Sequence, residues 1–198
     1  MDIALISSFY SVEPFMPAAS AYQAKKIILI VDADKGDAKL KENIGLIKKT
    51  FGSVSEISES HVDSSDIFMT AKVVVHLIDS ENAAGKRVIV AVSGGFKLMA
   101  HALLLACFTR PDKVERIVCA NPKDNSLVEL PKLGFGVSGT KKKLLLELSK
   151  REGKSIDSIA KRLGKSRAMV YQHLKELKEN GYVDEKFDIT LAGRLALL

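Results

Sequence analysis

Short apolar runs alternate with longer stretches of helical spacing through the first two thirds of the chain. Ile3 to Ile6 is a first strand that breaks at Ser7-Ser8, and a loop with Phe9, Tyr10 and Pro14 leads to a short helix near Phe15 to Ala24. Ile27 to Val31 is a second strand ending in Asp32, Asp34 and Gly36; Asp37 to Phe51 then sets Leu40, Ile44 and Ile47 on one helical face, closed by Gly52. Val54 to Ile57 predicts a weaker third strand, and His61 to Ala84 a long helix carrying Ile67, Val74, Leu77 and Ile78. The clearest signal is next. Val88 to Val92 reads as a strand buried on both faces, and Phe96 to Phe108 is too long and too rich in Ala and Leu to be another strand. Arg116 to Ala120 and Leu127 to Leu130, joined through Asn121 to Asn125, predict a hairpin. The alternation implies an α/β fold: a Rossmann-like, mostly parallel sheet with an antiparallel edge.

The pattern changes after Pro131. Residues 132–139 include three glycines and predict a linker or hinge. This divides the chain into a domain at 1–131 and a second at 140–198. In the second, Thr140 to Arg151 forms a helix with Leu144, Leu145 and Leu148 inward. Ser155 caps a helix with Ile156, Ile159, Ala160 and Leu163 that stops at Gly164; Ser166 caps another with Val170, Leu174 and Leu177 on one face, ended by Gly181. Two short helices, a glycine turn and a third amphipathic helix make a helix-turn-helix. Tyr182 to Ile189 completes it as a hairpin wing, and Thr190 starts a last helix, so the second domain is a small winged helix-turn-helix.

Charge separates the halves. Residues 1–137 carry 16 Lys and Arg against 16 Asp and Glu, while residues 138–198 carry 14 against 8, the whole of the net +6. A balanced body with a basic end fits a sensor joined to a module that meets a polyanion. The four histidines, His61, His76, His101 and His173, are scattered, and Cys107 and Cys119 read as core residues, so neither a metal nor a disulfide is expected. The absence of a signal-like leader and of any apolar run near 18 residues predicts a soluble, cytoplasmic protein with no membrane contact.

Two groups of residues carry chemistry. The turn Ser93-Gly94-Gly95 joins a buried strand to a helix, where glycine permits positive φ and close approach of a ligand, and the first helical amides favour an anion. The spacing is neither G-x-G-x-x-G nor a P-loop, so neither NAD nor a nucleoside triphosphate is indicated. Lys97, in the first helical turn, suits a bound anion. In a doubly wound sheet the loop after strand one lies beside this turn, bringing Ser7, Ser8, Phe9 and Tyr10 next to Ser93, Gly94, Gly95, Phe96 and Lys97. Ser7 and Ser8 equally suit strand-end turn chemistry, and Phe9 and Tyr10 equally suit a core or dimer contact. On the third helix of the basic module Arg167, Ala168, Tyr171, Gln172 and Lys175 face outward, with Ser166 at its start. Arg167 and Gln172 suit guanine and adenine edges, and Lys161, Arg162, Lys165 and Lys186 suit phosphates.

A strand ending in S-G-G-F-K-L-M-A-H-A-L-L-L-A, in a Rossmann-like domain followed by a winged helix-turn-helix, resembles the archaeal CRISPR-associated regulators that carry a CARF domain. The resemblance spans essentially the whole chain and is most specific over Ser93 to Ala106. It implies a homodimer that holds a cyclic oligoadenylate, usually the tetra-adenylate, across its two-fold axis between the loops after strands one and four. It also implies transcription control through double-stranded promoter DNA, with no catalytic cofactor. Relatives often have a glycine after the hydroxyl residue of the first loop; Ser7, Ser8, Phe9 and Tyr10 include none. Some CARF proteins cleave their own ligand with a hydroxyl and a cation, and Ser7 or Ser8 with Lys97 would be the residues for this ring-nuclease alternative.

Overall fold

A computed structural model describes residues 2–33, 36–150 and 155–198. The expectations placed on Asp34 and Arg151 lie outside these residues. The chain forms two compact units, Met1–Gly134 and Phe135–Leu198. Phe135 and Val137 pack against the core of the second unit.

The first unit is a six-stranded sheet in the order β3-β2-β1-β4-β5-β6, formed by β1 (Ile3–Ser8), β2 (Lys26–Asp32), β3 (Glu56–Val62), β4 (Arg87–Ala91), β5 (Val114–Ala120) and β6 (Leu127–Leu130). The first five strands are parallel, and β6 runs antiparallel to β5. Four helices complete the unit: α1 (Met16–Tyr22), α2 (Ala38–Phe51), α3 (Ile67–Ala83) and α4 (Lys97–Thr109). Side chains of α1 and α2 share one core with Leu5, Phe9, Leu29, Val31 and Ile89. The helices α3 and α4 pack on each other, α3 also meeting β4 and α4 meeting β1 and β5. Helices on both faces explain why β1, β2 and β4 are almost continuously apolar.

Three segments depart from the apolar pattern. Strand β1 does not break at Ser7-Ser8; both serines stay in the ladder, opposite Leu29 and Ile30 of β2. The third strand is Glu56–Val62 instead of 54–57, because Val54 sits in the turn after α2, 62% exposed, with its amide donating to the Phe51 carbonyl. As an edge strand β3 needs no unbroken apolar run, and its E-I-S-E-S-H-V sequence hid it. Helix α3 consequently begins at Ile67, where the Asp66 carboxylate accepts from the Met69 amide at 2.9 Å.

The second unit comprises α5 (Gly139–Ser149), α6 (Ile156–Leu163), α7 (Arg167–Glu179) and α8 (Leu191–Ala196). Leu144, Leu145, Ile159, Val170, Leu174 and Leu177 form its core. Ser155 and Ser166 cap α6 and α7, and Gly164 closes α6 in the left-handed region at φ 62°. The wing is slighter than a full hairpin: a single antiparallel bridge joins Val183 to Ile189.

Within this unit the Glu147 carboxylate is nearly buried between Lys150 and Arg162, each at 2.5 Å. The Lys150 ammonium, ahead of Arg162, holds the acid below its ordinary range despite the opposing effect of burial. Because the folded value is depressed, the stabilisation is complete above the unfolded carboxylate value and disappears as pH falls through the folded one. Glu147→Gln is expected to cost about 1–2 kcal/mol at neutral pH. Thermal unfolding across pH 7 to 3 checks this: the gap between wild type and variant should close toward the acid end.

Candidate functional site

The centre of the sheet determines what the glycine turn touches. Strands β1 and β4 are neighbours, in register Ile6 to Val90 and Ser7 to Ala91, so their carboxyl ends emerge side by side. The chain leaving β4 folds over the end of β1. A methyl group at Gly94 would lie 2.8 Å from the Ser8 carbonyl oxygen, and one at Gly95 would lie 2.4 Å from Met99 Cε and 3.3 Å from the Phe9 amide nitrogen. Gly95 adopts φ 77°, which side chains rarely tolerate. The turn is tied at its other end too, since the Ser93 hydroxyl accepts from the Ala120 amide at 2.6 Å.

From this anchored base the backbone rises to the surface. Gly94 is buried, Gly95 is half-buried, and Phe96, Lys97 and Leu98 are exposed. Phe96 is the N-cap of α4 and no side chain caps that helix, so its first amides and the positive end of its dipole face outward beside Lys97. The Tyr10 ring packs on Phe96, centroids 5.6 Å apart, and the Asn43 amide donates to the Tyr10 carbonyl. The hydrogen bond from its phenol to Asp37 raises the Tyr10 hydroxyl above its ordinary value.

Not every residue expected here reaches solvent. Ser7, Ser8 and Phe9 are fully buried. Phe9 points into the core and meets Phe15 edge-on at 5.5 Å, because an aromatic following a central strand is worth more inside than at the rim. Ser7 donates to the Ser8 carbonyl at 3.0 Å, while the Ser8 hydroxyl, sealed beneath Gly95, has no hydrogen-bond partner among the described residues. The surface therefore consists of Tyr10, Gly95, Phe96 and Lys97, with Ser7, Ser8 and Phe9 as the layer below. Leu98 and Asp37 also belong to the surroundings; Leu98 had no sequence signal beyond proximity to the turn, and Asp37 was legible only as the start of α2.

In the second unit α7 buries Val170, Leu174 and Leu177, which turns Arg167, Ala168, Tyr171, Gln172 and Lys175 outward. Lys161, Lys165 and Lys186 are exposed as well. Arg162 is different: its Nε donates to the nearly buried Glu147 and its Nη1 to Ser158 Oγ at 2.5 Å, so it braces α6 against α5 instead of standing free for a phosphate. A contact fifteen residues away left no local trace in the sequence. Ser166 spends its hydroxyl on the Met169 amide as the α7 cap. Gln172 donates to Glu176 at 3.2 Å, and Glu176 also meets Lys141 at 2.7 Å. Among the described residues no group of His, Cys, Asp and Glu is placed to hold a metal ion, and no helix is long and apolar enough to cross a membrane.

Both units have counterparts among known proteins. Residues 138–184 match a family model described as winged helix-turn-helix DNA-binding, and residues 5–124 match one described as "HFX_2341_N:-like, N-terminal". No curated protein sequence matches the chain. Among solved structures, Enterococcus italicus Csm6 bound to cyclic hexa-2'-fluoro-hexa-dAMP superposes with a TM-score of 0.53 at 12% identity, over 92% of this chain and 56% of that one. Can2 from Sulfobacillus thermosulfidooxidans, in complex with cyclic tetra-adenylate, superposes at 0.52 with 16% identity, over 100% and 57%. Protein VC1899 from Vibrio cholerae gives 0.52 at 12% identity, over 99% and 64%. The chain thus spans somewhat over half the length of these structures, and at such identities the likeness is one of fold.

Proposed function

Through residues 5–124 the chain belongs to the HFX_2341_N-like family, and we propose that this domain, joined to its winged helix-turn-helix, makes a CRISPR-associated transcription regulator that senses a cyclic oligoadenylate. The ligand we favour is the tetra-adenylate, held at the interface of a homodimer. The observation that carries the reading is the uncapped start of α4 beside Lys97, presented on an anchored glycine turn at the carboxyl ends of the two central strands. A cyclic oligoadenylate matches it chemically. Its phosphates suit the amides and Lys97, and its bases suit the Tyr10 and Phe96 rings. The neighbours solved with cyclic oligoadenylates support the same ligand class.

The second unit supplies the response. Lys161, Lys165, Lys175 and Lys186 would meet promoter phosphates while Arg167, Ala168, Tyr171 and Gln172 enter the major groove. Each Lys→Ala change at Lys161, Lys165 or Lys186 should weaken binding evenly across sequences and flatten the plot of log affinity against log salt by about one unit per protomer. The ring-nuclease reading would need a hydroxyl at the ligand, and both candidates, Ser7 and Ser8, are fully buried. Incubation with cyclic tetra-adenylate tests it: an intact ring excludes cleavage. For the regulator, a promoter fragment bound no better than random duplex would overturn the DNA-reading half.

A further inference from the structure

Cations dominate the start of α7 and its surroundings, and the acids Glu176 and Glu179 fall toward its far end, but one carboxylate stands beside Arg167. Asp157, in the first turn of α6, places Oδ1 2.9 Å from Arg167 Nε at the start of α7. Both side chains are largely exposed, 64% for Arg167 and 67% for Asp157, so the pair contributes little to stability in water. A carboxylate at this position also repels DNA phosphates, which makes it costly beside the exposed cations Lys161, Arg162 and Lys165. Asp157 suits the amino-terminal turn of α6 through the helix dipole, but that role does not require it to meet Arg167.

The geometry of the guanidinium gives the pair a use. Arginine has five N–H donors in a rigid plane, and an ion pair at the Nε edge restrains that plane while leaving the terminal Nη pair turned away from the carboxylate. The terminal pair is the fork that meets guanine O6 and N7 together. Arg167 is the first residue of α7, where a long side chain has no helical neighbour before it to lean on. Gly164, at φ 62°, ends α6 three residues before Arg167, and the Asp157 carboxylate from the first turn of α6 reaches the place where that neighbour is missing.

We propose that Asp157 is a positioning residue for base readout: it holds Arg167 by Nε so that the Nη fork is presented to a guanine in the major groove. This rests on the DNA-reading function proposed above and adds the residue that sets its specificity. The partnership has no local signal in the sequence, since the two side chains stand ten positions apart.

The test uses the full chain and a palindromic duplex chosen by the protein from a random pool. The guanine read by Arg167 is located as the one whose preference Arg167→Ala abolishes, and it is then replaced by 7-deazaguanine, which lacks the N7 acceptor. Wild type should lose about tenfold in affinity on that replacement. Asp157→Ala should lose only about threefold or less, while binding random duplex as well as wild type or better. Asp157→Ser, whose hydroxyl suits a helix start but is too short to hold the guanidinium, should behave as Asp157→Ala does and covers any folding defect of the alanine variant. A full tenfold guanine dependence in both variants would overturn the inference and leave the DNA-reading function standing. A wild-type protein indifferent to the replacement, or with no guanine preference traceable to Arg167, would overturn both.

Discussion

Gly94→Ala is expected to weaken binding of cyclic tetra-adenylate by at least about tenfold. The added methyl would sit 2.8 Å from the Ser8 carbonyl oxygen, closer than real Cβ contacts allow, and the obstacle is main chain of a central strand. Strand β1 is held on both sides by β2 and β4, so the turn is what must move. Moving it displaces the first amides of α4 and Lys97 from the place where the phosphates would lie. Gly95→Ala adds a second kind of strain: its φ of 77° disfavours any side chain, although the 2.4 Å approach is to the flexible end of Met99. Calorimetric titration of both variants against wild type is the check. Lys97→Ala, which changes charge without shifting the turn, should give a smaller, salt-dependent loss.

Gly193→Ala should abolish DNA binding by unfolding the second unit at moderate temperature. Gly193 lies inside α8, where a Cβ would approach the Tyr182 carbonyl oxygen to 2.2 Å and Ile189 Cγ1 to 2.7 Å. Neither can yield independently, because the Tyr182 carbonyl accepts from the Thr190 amide and Ile189 forms the bridge of the wing. Overpacking of this kind costs about 3 kcal/mol, a large part of what a unit of this size has in reserve. The expected result is a cooperative transition of this unit lowered by more than about 10 °C. Binding of ligand by the first unit should persist in the same preparation, which distinguishes a local collapse from general misfolding.

How far the sequence disclosed these features depended on whether a signal was local. The run from Val88 through Phe108 announced a strand, a glycine turn and a buried helix because each element is written in consecutive residues. Gly164 and the Ser155 and Ser166 caps marked the helix-turn-helix for the same reason. Polar edge strand β3 escaped because apolar periodicity reports burial, and an edge strand is only partly buried. Side-chain destinations were less legible still. Phe9 follows a central strand and could face either way; its packing against Phe15 decides for the core. Arg162 read as one more cation on a basic surface until Glu147, fifteen residues earlier, claimed it. The unpartnered Ser8 hydroxyl beneath Gly95 has no sequence counterpart at all, since it follows from two loops meeting.

A sensor and a DNA-reading module form one regulator only if the two binding events are linked, and linkage is reciprocal: the factor by which ligand changes DNA affinity must equal the factor by which DNA changes ligand affinity. The decisive measurement is the affinity of the full chain for its selected duplex with and without saturating cyclic tetra-adenylate, paired with the affinity for cyclic tetra-adenylate with and without that duplex. Linkage of this kind gives equal factors of about fivefold or more in both halves of the cycle, and none in Gly94→Ala. Tight binding of each partner with both factors equal to one would contradict it, for the protein would then bind its ligand and its DNA without either reporting on the other.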